Sequence, residues 1–126
     1  MPAREVLFLQ FTVLFVLALI HVFGDIYFLY WKYRWLDDVA HFLGGLWVGL
    51  FALWILVLRG RRPQFLICLA VVVGFGIAWE LFELISGAGN FPAEIRDTVE
   101  DLAMDIIGGA ASFLLIARLS SNPVKR

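Results

Sequence analysis

Polar positions in this sequence form short clusters separated by long apolar runs. Four runs are long enough to cross a bilayer, which takes about 20 helical residues each. They cover residues 6–30, 38–58, 64–86 and 98–118. The pattern predicts an all-α, four-helix transmembrane bundle, a single integral membrane domain over residues 1–126. The first run follows one arginine, exceeds the apolar core of a signal peptide and lacks a small-residue cleavage site, so it reads as a retained span. Pro63 suits the first turn of the third helix. The short "GRR" turn at 60–62 makes the second and third helices antiparallel neighbours.

Within the runs, the polar residues recur at helical spacing, where positions three and four apart share a face. The first span aligns Ala18, His21 and Asp25; the second aligns Asp38, His41, Gly45, Gly49 and Ala52. On the third, Gly76, Glu80, Glu83 and Gly87 fall together, and on the fourth Asp97, Asp101, Asp105, Gly108 and Ser112. Small residues continue the polar stripes and let membrane helices approach closely, as in Gly45-xxx-Gly49. An isolated ionised side chain at mid-bilayer costs about 2.5–3.5 kcal/mol on insertion scales. Such residues are therefore expected to turn inward, toward one another, and to line a shared polar pocket.

Composition agrees with this picture: 62% of residues are hydrophobic and only 17% charged, too apolar for a soluble domain of 126 residues. The net charge of −1, without a basic patch, excludes a nucleic-acid partner. A single cysteine, Cys68, excludes an internal disulfide and the Cys-rich zinc sites, and a structural role is expected for it. Charge also predicts a direction. Arg4, Arg59, Arg61, Arg62, Arg118, Lys125 and Arg126 share the side of the termini, against Lys32, Arg34 and Arg96 on the other. Cytoplasmic loops carry the excess of Lys and Arg, so both termini are expected in the cytoplasm. Ten of the eleven acids, all but Glu5, then lie in the outer half or outer loops.

Some of these acids have modest alternatives. "DTVE" matches a capping box with Asp97 as the N-cap and Glu100 closing it, and Asp37 is the preferred cap of the second helix. His21 and Asp25, one turn apart, can form a private pair. The residues inside spans are functional candidates by default. Asp38, His41, Glu80, Asp101 and Asp105 are candidate ligands of one divalent metal, because bundles assemble such sites from carboxylates and imidazoles on facing helices. Mg²⁺, Mn²⁺, Zn²⁺ and non-haem iron all remain open. Glu80 and Glu83 are candidate general bases, with His21, Asp25 and Asp97 as a supporting polar cluster.

The blocks "DDVAHFLGGLWVGL", "WELFE" and "DTVEDLAMDIIGGAASFLL" resemble small bacterial membrane proteins of the YjdF-like type and, more distantly, the VanZ-like type. The resemblance runs from Asp37 to Leu115 and falls on Asp38, His41, Phe42, Glu80, Glu83, Asp97, Asp101, Asp105 and Gly108. It implies a multi-pass protein of the prokaryotic inner membrane, and for the VanZ-like type a link to glycopeptide-antibiotic tolerance at the envelope. No defined reaction comes with it. Three functions stay open: a metal-dependent site acting on a lipid-linked or envelope substrate, a small ion or proton transporter, and an assembly protein without catalysis. Beyond the lipid bilayer, a lipid-linked substrate and a second copy of the chain are the partners considered. Against transport, the stripes below Asp105 offer only Ser112 and glycines.

Overall fold

A computed structural model describes residues 3–87 and 95–121. Its described residues are helical throughout apart from short turns and contain no strand. The helices are α1 (Ala3–Ile26), α2 (Leu29–Lys32), α3 (Trp35–Leu58), α4 (Phe65–Ser86) and α5 (Ile95–Ser121). Four of them, all but α2, are long and apolar enough to cross a membrane. Glu94, Lys125 and Arg126, used above in the charge count, lie outside the described residues.

Four boundaries differ from those expected. The first span stops at Ile26 rather than at 30, because Phe28 takes a left-handed backbone (φ 53°) that no helix can continue. The chain then folds back, laying the Tyr30 ring on α1. A Cβ at Gly24 would lie 2.5 Å from that ring, so this return requires glycine. Helix α3 begins at Trp35, with Arg34 at its N-cap, so Asp37 is not the cap and sits inside the first turn. Likewise α5 already begins at Ile95, which moves Asp97 into the helix, and Glu100 pairs with Arg96 at 2.8 Å instead of closing a capping box. Pro63 precedes Gln64, the N-cap of α4, and so lies outside that helix. At its other end α4 closes on Gly87, left-handed at φ 65°, whose N–H donates to the Glu83 carbonyl at 2.9 Å.

The centre of the bundle is α3, which packs on α1, α4 and, most extensively, α5. Its crossing with α5 is a backbone-to-backbone contact. A Cβ on Gly45 would collide with the Asp105 backbone, and one on Gly108 with the Phe42 carbonyl. Gly49 faces Ser112, and Gly109 receives Val72 of α4. Without a hydrophobic drive between helices in lipid, this closeness gains dispersion contacts that larger residues would prevent. Below the crossing lies an apolar core around Val6, Leu50, Leu53, Val72 and Ile116. Buried Cys68 sits within it, 3.5 Å from the Ser112 hydroxyl and 3.6 Å from the Gly109 carbonyl, a packing and hydrogen-bonding position.

One end of the bundle, the loop end, carries the turn 27–34 between α1 and α3 together with the last turn of α4 and the first turn of α5. The last turns of α1 and α4 and the first turns of α3 and α5 meet there, so the segments richest in acids converge.

Candidate functional site

His41 is the hub of that end. It lies two turns inside α3, one turn above Gly45, where α5 comes closest. The close crossing brings two α5 carboxylates to its ring: Nδ1 is 3.4 Å from Asp105 Oδ1 and Nε2 is 3.6 Å from Asp101 Oδ2. All three residues are buried, His41 at 9%, Asp101 at 4% and Asp105 at 7% exposure. The other oxygen of Asp105 lies against Gly76, where a Cβ would be 2.6 Å away, so α4 also shapes the pocket of this side chain. Asp101 and Asp105 are one turn apart on a single face, as their spacing implies.

Helix α4 contributes Glu80 and Glu83. Both carry an oxygen that lies with a His41 ring nitrogen in a group whose atoms are all within 4.8 Å of one another. A second such group joins Asp37, His41 and Asp101. Glu80 Oε2 accepts from the Thr98 hydroxyl of α5 at 3.0 Å, while its Oε1 is buried with no hydrogen-bond partner. Ligands of one ion bound at about 2.1 Å sit roughly 3–4 Å apart. Side-chain adjustments of well under an ångström per atom would therefore bring either group to coordination distance.

A neutral imidazole can donate from only one ring nitrogen, and the other is an acceptor. With carboxylates facing both nitrogens, one lone pair would oppose an anion unless a positive charge lies in the cluster. The geometry therefore calls for a cation there, either an additional proton or a metal ion.

The remaining candidates lie at the rim. His21 and Asp25 pair with each other at 3.5 Å, with side chains 59% and 54% exposed. His21 also faces the Tyr30 hydroxyl, whose oxygen is 3.5 Å from its Nδ1. Asp97 pairs with Arg34 at 3.4 Å and ties the α2–α3 turn to α5. Asp38 joins neither ligand group among the described residues, and Asp37 is its neighbour that does. Tyr30 lies between the spans. Burial pushes its phenol up to about 12, with Asp37 and then Asp25 adding to the effect. Stability from holding it neutral is complete below about pH 10, where an unfolded tyrosine titrates, and is lost as pH rises through the folded value. Absorbance titration should show one of the three tyrosines ionising only near pH 12. Tyr30→Phe should remove that step.

Beside the cluster is a cavity of about 580 Å³ between α1 and α4, floored by α3. Of its polar residues, His21, Tyr30, Asp37, His41 and Glu83 lie toward the loop end, and Asp105 lies deeper, level with Gly76. The deeper walls, including Leu14, Leu17, Trp47, Val48, Val72 and Phe75, are apolar. The sequence led us to expect a carboxylate-lined pocket. The void is instead mostly hydrocarbon-lined, with Asp37 and Glu83 at its head and Asp105 on one wall.

Two contributors were missed in the sequence. A helix start at 38 makes Asp37 a cap, whereas its spacing of four from His41 is the signal that places it beside that ring. Thr98 gave no signal, since its role depends on α4 lying alongside α5.

A family model described as "Predicted membrane protein (DUF2238)" matches residues 8–122. No curated protein and no solved structure matches the chain.

Proposed function

We propose, for a chain that belongs to the DUF2238 family of membrane proteins, that the His41 cluster binds one divalent cation and through it acts on a lipid-linked or envelope-derived substrate. The observation that carries this reading is buried His41 with a carboxylate at each ring nitrogen, next to a buried Glu80 oxygen that has no partner. His41, Glu80, Asp101 and Asp105 are the proposed ligands, with Asp37 in place of Asp38. An oxygen-rich set with one imidazole suits Mg²⁺, Mn²⁺, Zn²⁺ or Fe²⁺. Such an ion would polarise a phosphoryl or carbonyl oxygen, or lower the pKa of a bound water. Glu83 lines the cavity, whereas Glu80 is tied to Thr98. Glu83 is therefore the better general base and Glu80 the better ligand.

A proton relay through the bilayer is less well supported. Below Asp105 the buried polar groups are Gln10, Cys68 and Ser112; the Ser112 hydroxyl donates to the Gly109 carbonyl at 2.6 Å and contacts Cys68, and no hydrogen bond joins these groups to Asp105 among the described residues. The YjdF-like resemblance gains support from the family match, and a prokaryotic cytoplasmic membrane is the location we propose from it. The VanZ-like resemblance has no match behind it.

Element analysis of detergent-purified protein tests the cation. Wild type should hold about one divalent metal per chain, and His41→Ala and Glu80→Gln should lose it while Asp38→Asn retains it. Metal-free wild type with an intact fold would refute the reading. Because protons compete with metal for these ligands, occupancy should also fall on acidification.

We further propose that the cluster faces away from the cytoplasm, as the Lys and Arg distribution argues. In a Cys68→Ser background, Lys32→Cys should react with a membrane-impermeant maleimide on intact cells, and Arg61→Cys should not. The reverse pattern would invert the topology.

A further inference from the structure

The cavity beside the cluster has a shape and a polarity that the cation alone does not explain. Glu83 and Val72 both line it on α4, eleven residues or about 16 Å apart at a rise of about 1.5 Å per residue. A bilayer's hydrocarbon core is about 30 Å thick, so the void runs from the loop end to roughly the midplane. It is open at the side as well as at the end. Wall residues Leu14, Phe75, Trp79 and Phe82 are 39–54% exposed on the face between α1 and α4. In a membrane such a slot cannot stay water-filled along apolar walls, and the adjoining hydrocarbon can enter it sideways.

We infer that the slot between α1 and α4 binds a single-chain amphiphile with a phosphate head: the chain lies along the apolar walls and the phosphate meets the cation held at His41. This rests on the cation site proposed above. The size argues for one chain, since about 580 Å³ accommodates on the order of twenty groups the size of a water molecule. Two long acyl chains would exceed that. The head is argued from charge. Asp37 and Glu83 line the polar end and Asp105 the wall beside His41, with Glu80 and Asp101 just behind that ring. Five carboxylates repel a bare phosphate, so an oxyanion enters only where a divalent cation bridges it. Discrimination follows, because a neutral lipid gains nothing at the cation and a phosphate head completes its coordination. Tyr30, an O–H donor at physiological pH, stands at the same end as a further hydrogen-bond partner for the head.

Gly44 offers a clean test. It lines the cavity, and a Cβ built on it meets nothing within 4 Å, so a side chain there starts into open space rather than against a neighbouring helix. Protein purified in dodecyl maltoside and loaded with Mn²⁺ is titrated with tritiated dodecyl phosphate. Saturable binding of one molecule per chain is expected, weakened at least tenfold by EDTA. Gly44→Leu from the α3 floor, and Ala18→Phe from the α1 wall, should each lose at least tenfold in affinity while holding Mn²⁺ as wild type does. If wild type takes up no Mn²⁺, the cation reading fails and this inference falls with it. If Mn²⁺ is held but dodecyl phosphate does not bind, or binds equally to both filled variants, the inference alone is overturned. Tighter binding of dodecylamine than of dodecyl phosphate would overturn the assignment of the head.

Discussion

Gly45→Ala should destabilise the fold by about 3 kcal/mol, the upper end for overpacking, while Gly44→Ala leaves it unchanged or slightly stabilised. The two residues are adjacent on α3 and equally helical. A methyl at 45 would strike the Asp105 backbone, which cannot rotate aside as a side chain could, so α5 must move away. A methyl at 44 meets nothing within 4 Å, and alanine improves helix propensity by up to about 1 kcal/mol. Displacing α5 also moves Asp101 and Asp105 from His41, so Gly45→Ala should lower metal affinity without touching a ligand. Thermal unfolding of the two variants in one detergent provides the comparison. Equal melting would mean that the helices do not cross as closely as described.

His41→Ala carries the second large effect. Removing one member of a buried charge-paired group leaves the others without compensation, typically at a cost of about 3–5 kcal/mol. Here Asp101 and Asp105 would both be stranded in the packed interior between α3, α4 and α5. Adding Asp101→Asn and Asp105→Asn to His41→Ala should recover much of the lost stability and none of the metal binding. That split separates the structural part of the cluster from its binding part. Stability unaffected by His41→Ala would show that the carboxylates are solvated rather than held by the imidazole.

Much of this arrangement was legible from spacing. Asp101 and Asp105, one turn apart and followed by Gly108, were expected to face a neighbouring helix, and they meet His41 across the glycine crossing. Glu80 and Glu83 on the next helix belong to the same neighbourhood. Helix ends were harder to place, for identifiable reasons. From Ile26 to Trp31 the chain has no charged break, so nothing in hydrophobicity marks the left-handed turn at Phe28 that ends α1. Placing the start of α3 at 38 made Asp37 look like a cap and favoured Asp38 as the ligand, although Asp37 is the residue that approaches His41 with Asp101. Asp97 shares the stripe of Asp101 and Asp105, yet Arg34 draws it to the rim, a pairing 63 residues apart that no local pattern encodes. The cavity was invisible at that level, because a void depends on how far α1 and α4 stand apart above α3.

Pulsed electron paramagnetic resonance on Mn²⁺-loaded protein reads the identity of the ligands at the ion itself. Convergence of the carboxylates on His41 predicts one bound Mn²⁺ whose echo envelope carries ¹⁴N modulation from a single imidazole. That modulation should survive His21→Ala and vanish in His41→Ala. Bound Mn²⁺ without nitrogen coupling, or coupling that persists when His41 is replaced, would place the ion elsewhere and contradict the site.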